Sequence, residues 1–417
     1  LHKAIRRQRQ MCIRDSSYYS TEGSSQCIRA MLFLALQSAP QNGKRPVLLA
    51  ARNAHKALLY AAALLDFDIR WLWPSAQAEG ALCSCPVTAE ALTGALHAMA
   101  QQGNTPFGVY VTSPDYLGGV QDIPALAAVC RAQGVPLLVD NAHGAYLRFL
   151  PQNCHPIAQG AAMCCDSAHK TLPVVTGGAY LHLAHDAPVQ DEAAVRGALA
   201  LFGSTSPSYL ILQSLDACNA VLAGDYPRRL VQCCVALEGL RRSLNKAAAA
   251  RQCPVPLAVA GAQQEPMKLT LDAAALGCTG TTLAEALRRA QLECEYADPR
   301  YVVLMFTPEN PPQDYTRLQT ALEQLLAAVP AGLPRPENRA GEFAALQQQA
   351  VQRCTIRQAV LGAQVRIPVH KALGRVCAMP TVSCPPAIPV AVSGEEITPA
   401  AIALMQRYGI EELSVLR

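Results

Sequence analysis

Two apolar runs, spaced by one crossover length, constrain this chain most. Val135-Pro136-Leu137-Leu138-Val139 ends in Asp140, and the later run from Gly160 to Cys165 ends just before Asp166-Ser167-Ala168-His169-Lys170-Thr171. Short apolar runs of this kind read as buried strands, and about 30 residues between them is enough for one right-handed crossover. Two parallel strands then release an acid and a lysine at the same C-terminal sheet edge, which is where such sheets bind ligands. Thr176-Gly177-Gly178 lets the backbone turn into a further strand, Ala179–Leu183.

The same grammar recurs upstream. Pro46–Ala50 reads as a short buried strand followed by a helix through Leu65, and Phe107–Thr112 reads as another. A helix over Ile123–Ala132 returns the chain to the strand that ends at Asp140. Strand, helix and parallel strand in succession predict an α/β fold. Thr21-Glu22-Gly23-Ser24-Ser25-Gln26 precedes a helical run over Ile28–Leu36, and small residues at a helix start leave N–H groups free to face an anion such as phosphate. From Asp225 to about Ala328 the pattern changes to a long amphipathic helix and a smaller α/β unit. Its strands are Lys268–Leu271 and Tyr301–Phe306, with a helix over Thr282–Leu292 between them.

Each candidate also has a plain structural explanation. Lys170 alone is a solvated lysine in a turn, Asp140 alone is a turn former, and Ser24 or Ser25 alone is an ordinary helix cap. Lys170 and Asp140 together are more specific. Pyridoxal phosphate is held by a lysine as a Schiff base, and a carboxylate beside its pyridine nitrogen keeps that nitrogen protonated.

Asp140-Asn141-Ala142-His143-Gly144 together with Ser167-Ala168-His169-Lys170-Thr171-Leu172-Pro173 resembles the bacterial ornithine/lysine/arginine decarboxylase family. The resemblance runs from near Tyr18 to the end of the chain. It implies a fold type I pyridoxal-phosphate-dependent (aspartate aminotransferase-like) large domain, a smaller α/β domain and a C-terminal domain. The boundaries expected are a tail at 1–16, the large domain at 17–224, the small domain at 225–328, a proline-rich linker at 329–343 and the C-terminal domain at 344–417.

The resemblance also implies roles. Lys170 would hold the cofactor, Asp140 would face its ring nitrogen and His55, in Arg52-Asn53-Ala54-His55-Lys56, would stack on the ring. His143 would lie near the same ring, and Ser24, Ser25, Ser167 and His169 would surround the phosphate. Lys170 or His169 would return a proton to the product carbon. Tyr116, in the loop Ser113–Gly119, would lie near the substrate. Ser204-Thr205-Ser206-Pro207-Ser208-Tyr209 would sit near the phosphate at a subunit interface, implying a homodimer or higher oligomer with shared sites.

Two positions depart from the family pattern: Asn141 stands where Glu is usual, and Glu22 where Asn is usual. Family members also carry an N-terminal segment with a Pro-Gly-His-Lys motif that helps complete the site, and that motif does not occur in this sequence. Residues 1–16 are basic and match nothing downstream. Met11–Ser16 reads either as the translation of a sequencing-library adapter or as a native basic tail.

The implied activity is decarboxylation of arginine, lysine or ornithine to the amine. Another fold type I reaction, a transamination or a different lyase reaction, would use the same lysine and acid, and a non-catalytic fold relative is the alternative from another class. A formal charge of +4 over 417 residues, with Lys and Arg scattered, gives no case for nucleic acid. Seventeen cysteines without a C-x-x-C pair read as reduced thiols rather than zinc ligands, and no residue is assigned to a metal. Charge or proline interrupts every long apolar run, so a cytoplasmic protein without a membrane span is expected. Cys384-Pro385-Pro386-Ala387-Ile388-Pro389 and Ser393-Gly394-Glu395-Glu396 are expected to be structural elements of the C-terminal domain.

Overall fold

The structure, a computed structural model, describes residues 15–39, 43–74, 81, 83–254, 257–259, 263–330, 332, 340–379 and 389–417. Most of the tail, most of the proline-rich stretch 329–336 and all but Pro389 of the segment 384–389 lie outside these residues.

Seven strands form the central sheet: β1 (Ser16–Ser20), β2 (Val47–Ala51), β3 (Asp68–Leu72), β4 (Val109–Thr112), β5 (Leu137–Asp140), β6 (Met163–Asp166) and β7 (Ala179–Leu183). Their order is β1-β7-β6-β5-β4-β2-β3. The pairs from β3 through β6 are parallel, whereas β7 runs antiparallel to both β6 and β1. The apolar runs are continuous because both faces are covered. Leu48, Ala50, Tyr110, Leu138, Met163 and Cys165 face one core. The alternating residues Leu49, Ala51, Val109, Val111, Leu137, Val139 and Cys164 face another.

Strand ends differ from the sequence expectation by one to three residues. The run from Gly160 pairs only from Met163, since Gly160 takes φ +104° and belongs to the preceding turn. The helix expected from Ile28 begins at Gly23 and runs to Gln37, across β6 and β7. Pairing of β1 already starts at Ser16, opposite Leu183, one residue inside the expected tail.

The chain then leaves this sheet through helices Tyr209–Ala223 and Tyr226–Ala250. A four-stranded sheet follows, ordered β10-β11-β9-β8, from β8 (Ala258–Val259), β9 (Lys268–Asp272), β10 (Tyr296–Ala297) and β11 (Tyr301–Met305). It shares a core with the inner face of the long helix, where Leu230, Leu237, Leu240 and Leu244 are buried. The helix between β9 and β10 spans Gly280–Arg289, ending three residues before the expected Leu292.

A helix over Ala340–Gln349 starts within the expected linker. Beyond it lie the helix Ile356–Leu361, the paired strands β12 (Gln364–Pro368) and β13 (Glu412–Leu416), and the helix Pro399–Arg407. The guanidinium of Arg357 donates to the carbonyls of Ala63 and Leu64 at 2.9 and 3.1 Å, the end of helix Lys56–Leu65 where the helix dipole favours a cation. No described helix is long and apolar enough to cross a membrane.

Candidate active site

The register levels three strand ends: Thr112 of β4 sits opposite Asp140 of β5, which sits opposite Cys165 of β6. Asp140 is 2% exposed. Its Oδ2 accepts from the Tyr110 hydroxyl at 2.9 Å and its Oδ1 from the Ala142 N–H at 3.2 Å, so the carboxylate is held in one orientation. After β6 a single helical turn, Ala168–Thr171, presents Lys170, whose Nζ lies 3.0 Å from His143 Nε2. Burial pushes the His143 imidazole well below its ordinary range, and the nearby Lys268 and Lys170 charges push the same way. Neutral His143 therefore accepts through Nε2 and carries its proton on Nδ1, which has no partner.

His55 caps the helix Lys56–Leu65, with Nδ1 accepting from the Ala57 N–H at 3.1 Å. Burial lowers its pKa, the Asp140 charge opposes this and the Lys170 charge adds to it. Asn53, two residues earlier, is 3% exposed, and neither atom of its side-chain amide has a hydrogen-bond partner. Ser24, Asn53, His55, Asp140, His143 and Lys170 line one cleft of about 390 Å³, counted out to solvent, together with Cys83, Thr112, Tyr116 and Ala142.

At the start of helix Gly23–Gln37, Gly23 adopts φ +71° and its N–H bonds the Gly177 carbonyl at 2.8 Å. This ties the helix start to the loop that follows Lys170. Glu22, at the N-cap, makes no side-chain cap and is exposed. The Ser167 hydroxyl donates to the Ser24 hydroxyl at 2.8 Å, bringing both next to the first turn, and Ser25 is the next residue in it. His169 instead engages the Gly178 carbonyl through Nδ1 at 3.0 Å. Tyr116 stands edge-on to His143, with ring centres 4.9 Å apart, and its hydroxyl donates to Glu295 Oε1 at 2.5 Å.

A second layer was not assigned from sequence. Lys268, 1% exposed, donates through Nζ to the carbonyls of Asp115 and Tyr116 at 2.8 and 3.2 Å, holding the loop that carries Tyr116. Burial pulls its pKa down to about 8, opposed by the Glu265 and Asp115 charges. Burial likewise pushes Glu265 up to about 7, opposed by the Lys268 charge and by the N–H groups of Met267 and Lys268. Glu265 also accepts from the Tyr146 hydroxyl. On the other side, Arg52 is fully buried, and its Nη1 and Nη2 meet Glu395 Oε1 and Oε2 at 2.6 and 2.8 Å. The guanidinium lies over Trp73 and Trp71, at 4.4 and 5.0 Å from the ring centres. Arg52 belongs to the motif Arg52-Asn53-Ala54-His55-Lys56, through which the resemblance pointed to His55. Glu395 had no such signal.

Comparison with known proteins gives the family and the fold. The family model described as "Orn/Lys/Arg decarboxylase, major domain" matches residues 8–263. An arginine decarboxylase of Bacillus subtilis (strain 168) is 26% identical over 394 residues, covering 92% of this chain and 76% of that protein. Among solved structures, a lysine decarboxylase of Francisella novicida superposes with TM-score 0.76 at 18% identity, covering 100% of this chain and 72% of that one. The constitutive lysine decarboxylase of Escherichia coli gives TM-score 0.72 at 19% identity, with the same coverage. At these identities the structural likenesses show the fold, and the fold is the fold type I architecture expected from the sequence.

Proposed function

The chain belongs to the Orn/Lys/Arg decarboxylase family, and from that premise we propose that it converts a basic amino acid, arginine, lysine or ornithine, to the amine and carbon dioxide using pyridoxal 5'-phosphate. The observation that carries the reading is the cleft in which Lys170 and the buried Asp140 share one sheet edge with His55 and His143.

The residues present fit the cofactor. The cleft supplies a primary amine, a fixed carboxylate and two buried polar groups without partners, the Asn53 amide and His143 Nδ1. The uncapped helix start beside Ser24 and Ser167 supplies N–H and hydroxyl groups for a phosphate. Lys170 would hold the cofactor, Asp140 would pair with its ring nitrogen, His55 would lie against the ring and Asn53 would meet a polar edge. When bound, the group supplies a sink for the electron pair left behind as carbon dioxide departs.

The chain's own residues do the rest. Neutral His143 accepts a hydrogen bond from the Lys170 amine, which keeps Nζ pointed into the cleft and gives a displaced lysine a fixed place to return to. Proton return is assigned to Lys170 Nζ ahead of His169, whose ring is engaged with Gly178. Tyr110 and the Ala142 N–H hold the Asp140 carboxylate in one orientation. Tyr116 lines the cleft edge-on to His143, and Lys268 holds the loop that carries it.

The functional unit is proposed to be a homodimer. Tyr209 and Leu210 are 77% and 74% exposed just after the Ser204–Ser208 loop, an apolar surface suited to a second copy. The described cysteines are free thiols, which fits the cytoplasm.

The test is an absorbance titration of the purified chain and of Lys170→Ala with pyridoxal phosphate, followed by product analysis with each basic amino acid. A visible band present only in the wild type, with carbon dioxide and an amine released, supports the reading. Release of a keto acid assigns a transaminase instead. A wild-type band with no turnover of any of the three substrates assigns a non-catalytic relative.

A further inference from the structure

On the far side of β6 from Lys170's cleft, three side chains outside the described site converge. His155, in the loop before β6, and His182, on β7, both point Nε2 at one oxygen of Asp166, the last residue of β6; the distances to Oδ2 are 3.1 and 3.2 Å. His155 and Asp166 are buried and His182 is nearly so. One donor atom from each lies within 4.8 Å of the other two.

We propose that His155, Asp166 and His182 form a divalent metal site that takes zinc. Ligand bonds of about 2.0–2.1 Å place two donors about 3.3 Å apart on a tetrahedral ion and about 2.9 Å apart on an octahedral one. The two separations to Asp166 Oδ2 fall between these values, and the third pair of donors lies within 4.8 Å, so an ion fits once the two imidazoles draw in around it. Two of the three residues have outer contacts of the kind a metal-bound set uses. Asn141 Nδ2 donates to Asp166 Oδ1 at 2.7 Å, leaving Oδ2 for the ion. His182 Nδ1 lies 2.7 Å from Ser17 Oγ, whose hydroxyl oxygen is placed to accept from Nδ1–H when Nε2 serves as the ligand atom.

Space and an unused polar group lie alongside. The three residues line a cavity of about 70 Å³, where one water requires roughly 10–15 Å³ on the same measure. That leaves room for a water to complete four-coordination. Tyr180 lines the same cavity with its hydroxyl buried and unpartnered. Two imidazoles with one carboxylate suit zinc, whereas calcium and magnesium prefer all-oxygen sets. The ion would fasten the loop before β6, the end of β6 and β7 at the point where the chain turns toward Lys170. Its role is structural, and it stands independently of the reaction assigned above.

The test strips the purified full chain with a chelator and reloads it with zinc(II) alone. Metal content is then read by inductively coupled plasma mass spectrometry in wild type, His182→Gln and Asp166→Asn. The wild type is expected to retain one equivalent more than either variant, and its melting temperature is expected to rise with zinc while theirs does not. Metal on scattered thiols is common to all three proteins, so the difference is the reading. X-ray absorption of wild type carrying one equivalent needs no variant to fold, and a shell of nitrogen and oxygen scatterers is expected. Cys164 Sγ lies 3.7 Å from His155 Nε2, so one sulfur scatterer is compatible with the site; a shell of two or more sulfurs, equal metal content in the three proteins, or no uptake by the wild type overturns it.

Discussion

Removing the carboxylate of Glu395 isolates a charge at the edge of the active-site loop. Arg52 is fully buried, and its two nitrogens meet the two Glu395 oxygens at 2.6 and 2.8 Å. With charge centres about 4 Å apart, an effective dielectric of 20 gives an attraction of about 4 kcal/mol. Breaking one side of such a buried pair costs about 3–5 kcal/mol, because the remaining charge stays uncompensated. Glu395→Ala is therefore expected to raise the unfolding equilibrium constant by roughly two to four powers of ten. Equilibrium urea unfolding followed by tryptophan fluorescence is the assay, since the chain has two tryptophans and both lie against Arg52. The double variant Arg52→Met/Glu395→Leu is expected to recover most of the loss, because an apolar replacement removes both charges. A loss below about 1 kcal/mol in Glu395→Ala, or a double variant as unstable as the single, refutes the reasoning.

Three further perturbations test other parts of the site. Tyr110→Phe removes a hydroxyl donor 2.9 Å from a buried carboxylate; a stability loss of about 1.5–3 kcal/mol is expected in urea melts, and a change under 0.5 kcal/mol would show that the bond is not needed. Gly177→Ala places a Cβ about 3.0 Å from Ile211 Cδ1 and 3.1 Å from the Thr21 carbonyl at φ +99°; a cost of about 1–3 kcal/mol is expected, with weaker pyridoxal phosphate binding by titration because the Gly177 carbonyl holds Gly23. Glu265 has a folded pKa raised to about 7, so protonated Glu265 contributes stability that is full below its unfolded pKa and is lost as pH rises toward 7. Wild-type minus Glu265→Gln stability should thus fall between about pH 4.5 and 7, and a flat difference curve in melts across that window counts against a buried protonated acid.

The parts of the site carried by local pattern could be read directly. Asp140 and Lys170 follow apolar runs whose strands end at the same sheet edge, and His55 and Ser24 belong to helix starts, so a few neighbouring residues suffice to place each on the fold, while their roles came from the resemblance. His169 shows the limit of that logic: it adjoins Lys170 in sequence, yet the backbone turn aims its ring at Gly178. Glu22 shows it again, since the acid that stands where the family usually has Asn is exposed. Lys268 could be placed on a strand but not in the core, because its partners are carbonyls of a loop about 150 residues away. The same holds for Glu395 and for the His155, Asp166 and His182 cluster, whose members come together only through strand order. Sheet order is set by which strands pair, and no spacing along the chain encodes it.

The 343-residue separation between Arg52 and Glu395 also has a consequence during synthesis. A ribosome adding 5–20 residues per second exposes Arg52 about 20–70 s before its carboxylate partner emerges. Through that interval the sheet edge bearing Asn53 and His55 carries Arg52 without its Glu395 partner. Final closure of this corner of the cleft is thus a late event on the nascent chain, waiting on synthesis of the segment that carries Glu395 rather than on collapse of the strands already made.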